Sequence, residues 1–328
     1  MAKTSTILPP HTNRVILRNM STMPCDVVVI GSSNMDMVVR CSDLPLPGQT
    51  ILGHDFVMNP GGKGANQAVA AAKLGARTQL VARLGNDVFA EASCRSFCDA
   101  GLGIDYVVRD TASPSGVALI YVEEGGENEI VVAPGANKLL RPSDVDAALP
   151  AIETAKVMIL QLEIPMETVR YAAALAVENK TRVILNPAPV RALPSSLLEK
   201  VDIVIANETE ILVLTGADDI SVHTASSVCR PLLEAGVESV IMTLGKDGAV
   251  LASGAGATRI PGFPVKAVDA TAAGDTLTGA VACALAGGQN LEDAVRFGNA
   301  AAALSVARQG AQSSVPTRAE VEELLASG

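Results

Sequence analysis

The 328-residue chain has no tryptophan and only five phenylalanines and three tyrosines, 2% aromatic in all, so walls on which a nucleobase could stack are scarce. Its three histidines, His11, His54 and His223, lie near no G-x-S-x-G nucleophile motif, which argues against a hydrolase. Six cysteines (Cys25, Cys41, Cys94, Cys98, Cys229 and Cys283) show no C-x-x-C spacing and follow no secretory leader, so reduced, mostly buried thiols are expected. Cys94 and Cys98 share a helix face, but two sulfurs without a nearby His or further Cys make a poor zinc set. No stretch approaches 18 uninterrupted apolar residues, which excludes a transmembrane helix. Basic charge is short as well: 25 Lys and Arg against 35 Asp and Glu give a net charge of −10. Such a surface repels phosphate backbones and anionic headgroups, so neither nucleic acid nor membrane is an expected partner and a cytoplasmic protein is.

What is present is apolar. At 48% hydrophobic the chain can bury one large core. The first 24 residues stand apart, with Lys3, Arg14 and Arg18 but no acid before Asp26, and are expected to form a flexible extension. An acid-poor leader also suits organelle import, although no amphipathic period is evident. From Asp26 the run to Gly31 is short, β-branched and apolar on both faces, as a buried parallel strand requires. Similar runs recur at 157–162, 182–185, 202–206 and 239–244 between Ala-rich amphipathic stretches. The pattern predicts an α/β fold with a doubly wound, mostly parallel central sheet flanked by helices. Two intervals, about 32–59 and 116–133, hold strand-like runs without helices and predict a small, discontinuous β-sheet lid.

Two segments carry the chemistry. The first, Asn59-Pro60-Gly61-Gly62-Lys63-Gly64-Ala65-Asn66-Gln67, opens an Ala-rich helix. Its glycines allow close backbone approach, its first-turn N–H groups are expected to face a hydroxyl or anion, and Lys63 and Asn66 fall one turn apart on one side. A plain helix-capping turn explains the same residues equally well. The segment is not G-x-x-x-x-G-K-S/T, and Gly31-Ser32-Ser33-Asn34 is not G-x-G-x-x-G, so neither a Walker loop nor a dinucleotide fingerprint is present.

The second segment, Val268-Asp269-Ala270-Thr271-Ala272-Ala273-Gly274-Asp275-Thr276, leads into another helix. The small residues Ala272, Ala273 and Gly274 let backbone N–H groups converge into an anion hole with Asp275 at its rim. Taken singly, Asp275 is better explained as a capping residue. As a base it suits phosphoryl transfer, because in a loose transition state the attacking hydroxyl becomes acidic late and an ionised carboxylate suffices.

Together the two segments resemble the paired signatures of the ribokinase family, the PfkB carbohydrate kinases. The first continues to Gly75 and Gly85 as that family's pattern asks, the second ends in Ala273-Gly274-Asp275, and the likeness runs from about Asp26 to Pro316, with one kinase domain over 25–328. Gly31-Ser32-Ser33-Asn34-Met35-Asp36, Gln161-Leu162-Glu163 and Asn186-Pro187-Ala188-Pro189 fit the ribose-phosphorylating subgroup. The resemblance implies D-ribose as substrate and ATP as donor. It implies that Asn34, Asp36, Gly62, Lys63, Asn66 and Glu163 surround the sugar, and that Asp275 deprotonates its 5-hydroxyl. It further implies that Glu210 of Asn207-Glu208-Thr209-Glu210 holds Mg²⁺ through water while Asn207 faces the phosphates. Thr243-Leu244-Gly245-Lys246-Asp247-Gly248 then corresponds to the nucleotide loop, with Asn299 near adenine; alone, that loop reads as a hairpin turn. Asp269, Thr271, Ser305, Arg308, Gly310 and Ser314 correspond to a K⁺ site. Two departures stand out: Ala270 replaces a usual Thr, Ser, Pro or Val, and Leu277-Thr278 replaces Phe-Asn, which puts the packing of the anion-hole helix in question.

Rival readings are a nucleoside kinase, disfavoured by Phe56 and Tyr121 being the lid's only aromatics, and a ketodeoxy acid sugar kinase, disfavoured by the hydroxyl-binding Asn34 and Asp36 pair. From a different class, a non-catalytic sugar-binding regulator is disfavoured by retention of Asp275, Glu210 and the glycine-rich loop. An apolar lid with open edges predicts a homodimer formed through it.

Overall fold

A computed structural model of the chain describes residues 24–125, 127–219 and 224–327. Residues 1–23 of the expected N-terminal extension, with His11, and His223 lie outside the described residues. Thirteen strands occur: β1 (Val27–Ile30), β2 (Asn34–Cys41), β3 (Asp55–Gly61), β4 (Thr78–Gly85), β5 (Gly103–Asp110), β6 (Gly116–Glu123), β7 (Asn128–Ala133), β8 (Val157–Leu160), β9 (Arg182–Leu185), β10 (Ile203–Asn207), β11 (Ser239–Thr243), β12 (Ala249–Ser253) and β13 (Gly256–Ile260). Nine form the main sheet in the order β13-β12-β11-β10-β9-β8-β1-β4-β5. All neighbours from β11 to β5 pair in parallel, and β12 and β13 close one edge as antiparallel strands.

Strand period 2 divides the core between the two faces of this sheet. Val27, Val29, Ile159, Ile184, Ile205 and Ile241 face one way, against the helices Lys63–Lys73, Val88–Asp99, Ala273–Ala286 and Leu291–Val306. Val28, Ile30, Leu160, Leu185, Val204 and Met242 face the other way, against Met166–Glu178, Glu208–Thr215 and Ala225–Glu234. β4, β5, β12 and β13 are not among the strand runs expected from the sequence. In β4 the charged Arg83 interrupts the apolar run, but its guanidinium is paired with Asp110 at 2.8 Å and Asp144 at 2.7 Å. All six cysteines are free thiols, and Cys25, Cys41, Cys229 and Cys283 are buried.

The two predicted lid intervals meet in a second sheet of four strands, β3-β2-β6-β7. Its β2–β6 pairing is parallel and its outer pairings are antiparallel. Register sorts its side chains. Asp36, Asn59, Ala118 and Val132 share one face, whereas Met37, Met58, Leu119 and Val131 share the opposite one. Phe56 and Tyr121 both oppose Val39 and so belong with Met37, away from Asp36.

The helix Ala273–Ala286 is buried continuously from Asp275 onward, as a central helix apolar all round must be. It crosses Lys63–Lys73 at Gly279, where an added Cβ would lie 2.5 Å from the Gln67 carbonyl oxygen and 2.6 Å from the Ala70 Cβ. The questioned Leu277-Thr278 pair is accommodated: Leu277 joins the core, and the Thr278 hydroxyl donates to the Gly274 carbonyl at 2.8 Å. Gly279→Val is therefore expected to force the helices apart and to destabilise the fold by about 1–3 kcal/mol, measured by urea unfolding. An unchanged midpoint would show that the crossing is not close-packed.

Candidate active site

The glycine-rich helix begins where Gly62 adopts φ 89°, and an added Cβ there would meet the Asn34 amide nitrogen at 2.6 Å. Both the backbone conformation and the contact demand glycine. The first-turn N–H groups do not face a ligand as the sequence suggests. Lys63 N–H donates to Glu163 Oε2 (3.1 Å), Gly64 N–H to the Ser32 hydroxyl (3.2 Å) and Ala65 N–H to the Ser32 carbonyl (2.8 Å). Glu163 also accepts the Ser32 hydroxyl at 2.5 Å, so this carboxylate, from the loop after β8, does the capping.

At the second helix Ala272 takes the left-handed conformation, φ 58°, which costs a non-glycine residue about 1–2 kcal/mol. Ala273 N–H returns to the Ala270 carbonyl at 3.2 Å and Thr276 N–H to the Ala272 carbonyl at 2.8 Å. Of the expected Ala272–Gly274 donors, Ala273 N–H is thus taken up within the turn, while the N–H groups of Gly274 and Asp275 remain at the helix start. The Asp275 carboxylate does not cap its helix. It is buried, with Oδ2 accepting from Asn66 Nδ2 at 3.0 Å and Oδ1 from Gln67 Nε2 at 2.8 Å.

A cavity of about 210 Å³ joins these parts, lined by Lys63, Asn207, Glu210, Thr243, Ala270, Ala272, Ala273, Gly274 and Asp275. A second cavity, of about 240 Å³, lies among Asn59, Lys73, Ser96 and Gln312; its one lining carboxylate, Asp99, is solvent-exposed and among the described residues no helix N-terminus opens beside it, which leaves the first cavity as the candidate site. The Lys63 ammonium is held above its ordinary pKa chiefly by Asp275, against the opposing effect of burial and with help from Glu163, Glu210 and Asp36. Asp36 is pushed up to about 7 by burial first and then by the charges of Glu163 and Asp275.

The remaining predicted residues divide. Asn207 and Glu210 form a reciprocal capping box on Glu208–Thr215, with Asn207 Oδ1 accepting from Glu210 N–H (2.8 Å) and Glu210 Oε2 from Asn207 N–H (2.9 Å). That leaves Glu210 Oε1 for another partner. Asn34 Oδ1 accepts from Asn137 Nδ2 at 2.8 Å. Asn137 is a buried residue that no motif announced; its Oδ1 also accepts from Ser33 N–H at 2.9 Å. Of the predicted nucleotide loop, Thr243 reaches the cavity, whereas Leu244, Gly245, Lys246, Asp247 and Gly248 form the tight β11–β12 turn, closed by Leu244 N–H to the Gly248 carbonyl at 2.8 Å. Asn299 spends its amide on the carbonyls of Ile260 (3.0 Å) and Pro261 (3.1 Å) and lines neither cavity.

Of the predicted K⁺ residues, Thr271 and Gly310 meet at Asp269, whose carboxylate accepts from the N–H of each at 2.9 Å. Burial raises this carboxyl's pKa, but those donors and Arg40 outweigh it and hold it below the ordinary value. Arg308 N–H donates to the Ser305 carbonyl at 3.0 Å, while its guanidinium turns to Glu320. Ser314 donates its hydroxyl to the Ala311 carbonyl at 2.8 Å.

A buried carboxylate beside unpartnered helix N–H groups, an ammonium and an acidic helix cap suits phosphoryl transfer to a hydroxyl compound. Known proteins agree with that chemistry. The pfkB family carbohydrate kinase family matches residues 25–318. The ribokinase of Haemophilus influenzae is 40% identical over 300 residues, covering 91% of this chain and 98% of its own length. A deoxyribokinase of Salmonella typhi is 36% identical over 301 residues, covering 92% and 98%. The solved structure of an Arabidopsis thaliana ribokinase complexed with ribose and ATP matches with a TM-score of 0.86 at 34% identity, covering 92% of this chain and 99% of that one. Because the match runs unbroken through the glycine-rich helix, the acidic cap and the Asp275 helix, the chain belongs to the pfkB family of carbohydrate kinases.

Proposed function

We propose that the protein transfers the γ-phosphoryl group of ATP to the 5-hydroxyl of D-ribose, giving D-ribose 5-phosphate and ADP. The observation that carries the reading is the Asp275 carboxylate, oriented by Asn66 and Gln67 within the cavity that Lys63 and the Ala273–Ala286 N-terminus share. Asp275 takes the hydroxyl proton as the oxygen attacks, and the Gly274 and Asp275 N–H groups meet the charge on the transferred group. Asn34, Asp36, Asn66 and Glu163 supply acceptors and donors for the sugar hydroxyls. Phe56 and Tyr121 lie on the lid face opposite Asp36, so the substrate side of the lid offers aliphatic rather than stacking surface, which favours a sugar over a nucleoside.

Glu210, with one oxygen in the capping box and the other open, fits water-mediated Mg²⁺, which when bound offsets phosphate charge. The ionised Asp269, its helix-entry loop tied to Val306 and Gly310, fits K⁺ as a monovalent ion among carbonyls. Its place next to Ala270 and Ala272 would stiffen the anion hole. The residues 25–328 act as one domain under a lid from 32–59 and 116–133. Among the described residues no helix is long and apolar enough to cross a membrane, and six free thiols suit the cytoplasm. The outward lid row of Met58, Met37, Leu119 and Val131, with Val131 62% exposed, is the surface on which two copies would pair.

Coupled ADP release with ribose, deoxyribose and adenosine, with and without K⁺, is expected to be fastest on ribose with K⁺; no ADP release on ribose would refute the assignment. Asp275→Asn should lower kcat by about 10²–10⁴-fold while ribose still binds. For Asp36 the folded pKa exceeds the unfolded one, so between about pH 4 and 7 the folded chain keeps a proton that the unfolded chain loses. Its contribution to stability is therefore lost as pH rises through that window, by at most about 1.4 kcal/mol per pH unit. Asp36→Asn should then be more stable than wild type at pH 8 but not at pH 4 in urea unfolding, and should bind ribose more weakly. Light scattering should give twice the 33.6 kDa chain mass for wild type and the single mass for Leu119→Asp; a monomeric wild type would rule out the lid-paired dimer.

A further inference from the structure

We infer that Gln67, fixed in turn by Gln161 and Asn186, is a positioning residue for Asp275. The inference rests on the proposed kinase reading and adds to it a residue that does not line the cavity or meet the sugar. Gln67 and Gln161 are both fully buried, at 0% exposure, and Asn186 is 9% exposed.

The direction of every amide in this cluster follows from one backbone group. The Ile205 carbonyl can only accept, so the Asn186 group 2.9 Å from it is Nδ2, and Asn186 Oδ1 must face the other way. That oxygen accepts from Gln67 Nε2 at 3.0 Å, which makes the Gln67 amide a donor on that side. The same Nε2 donates its second hydrogen to Asp275 Oδ1 at 2.8 Å. Gln67 Oε1 is then turned back and accepts from Gln161 Nε2 at 2.6 Å. Gln161 leaves its own buried Oε1 without a partner among the described residues, a cost of about 1–3 kcal/mol borne while its donor is directed at Gln67.

The consequence falls on the base. Asn66 alone would leave the Asp275 carboxylate free to turn about a single contact at Oδ2. With Gln67 on Oδ1 both oxygens are anchored, the plane of the carboxylate is set, and each oxygen keeps a lone pair for an incoming hydroxyl. Sugar affinity depends on other groups, Asn34, Asp36 and Glu163, so loss of the Gln67 anchor should act on turnover and not on binding. A misplacement of about 1 Å at a reacting group costs up to about 10²-fold.

Gln67→Met keeps the length and approximate volume of the side chain but removes both hydrogen-bonding ends. Steady-state kinetics are expected to show kcat lowered about 10–100-fold, with KM for ribose and for ATP within about threefold of wild type. Gln161→Met should show a smaller loss with the same split, and the double variant should be no worse than Gln67→Met, because Gln161 acts through Gln67. A kcat within threefold of wild type, losses that multiply in the double variant, or KM values rising in step with the fall in kcat would overturn the inference. If Gln67→Met does not fold, Gln161→Met decides by the same kcat and KM criteria. Normal wild-type turnover on ribose with unaffected variants would sink this inference alone; a wild type inactive on every pentose would sink it together with the kinase reading.

Discussion

One ammonium faces four carboxylates, and much of the site follows from that imbalance. Lys63 lies in the field of Asp275, Glu163, Glu210 and Asp36, and the cavity stays net negative even when Asp36 takes a proton. Such a pocket attracts hydroxyl donors and cations, which suits a sugar. It repels a polyphosphate, so on the proposed reading the positive field for the donor nucleotide would come from backbone N–H groups at a helix start and from a cation beside Glu210. Side-chain charge would then select the acceptor substrate, and backbone dipoles together with a metal would admit the donor.

The placement of Asp275, the proposed base, depends on packing more than on any loop. Asn66 and Gln67 belong to one helix and Asp275 to another, 209 and 208 residues away, yet their side chains meet within hydrogen-bond distance. Gly279 makes this possible one turn further along, by letting the second helix settle against the Gln67 carbonyl. Both helices are buried on the same face of the main sheet, so a rotation of either would have to displace the core of Val29, Ile159 and Ala280. Interiors packed like crystals resist such movement, and the geometry of the base inherits that rigidity.

This division explains what the sequence could disclose. β1, β8, β9, β10 and β11 are buried on both faces between their ends, so their central runs are apolar and legible without a structure. β4 and β5 carry Arg83 and Asp110, which read as surface until the partners Asp144 and Asp110 are known. At the site, Asp275, Lys63 and Glu210 stand in spaced motifs, whereas Asn137 and Gln312 act across 103 and 246 residues through single side-chain contacts with Asn34 and Asn66. Local spacing carries no trace of such pairs. The expectation of open N–H groups on the glycine-rich helix failed for the same reason, because the cap is Glu163, 100 residues downstream of Lys63.

The unfavourable features cluster where the chemistry is. Ala272 holds a left-handed backbone at the start of the Asp275 helix, Asp36 is desolvated beside the charges of Glu163 and Asp275, and Gln161, which reaches Asp275 through Gln67, leaves an oxygen unpaired among the described residues. Each costs on the order of 1–3 kcal/mol, and none would persist in a chain whose folding depended on this region. The continuous cores on the two faces of the nine-stranded sheet supply the stability that tolerates them. The arrangement also fixes a direction for substrate binding. On the proposed reading, ribose hydroxyls donating to Asp36 would favour its ionised form, so part of the sugar's binding energy would come from satisfying a group that folding left unsatisfied.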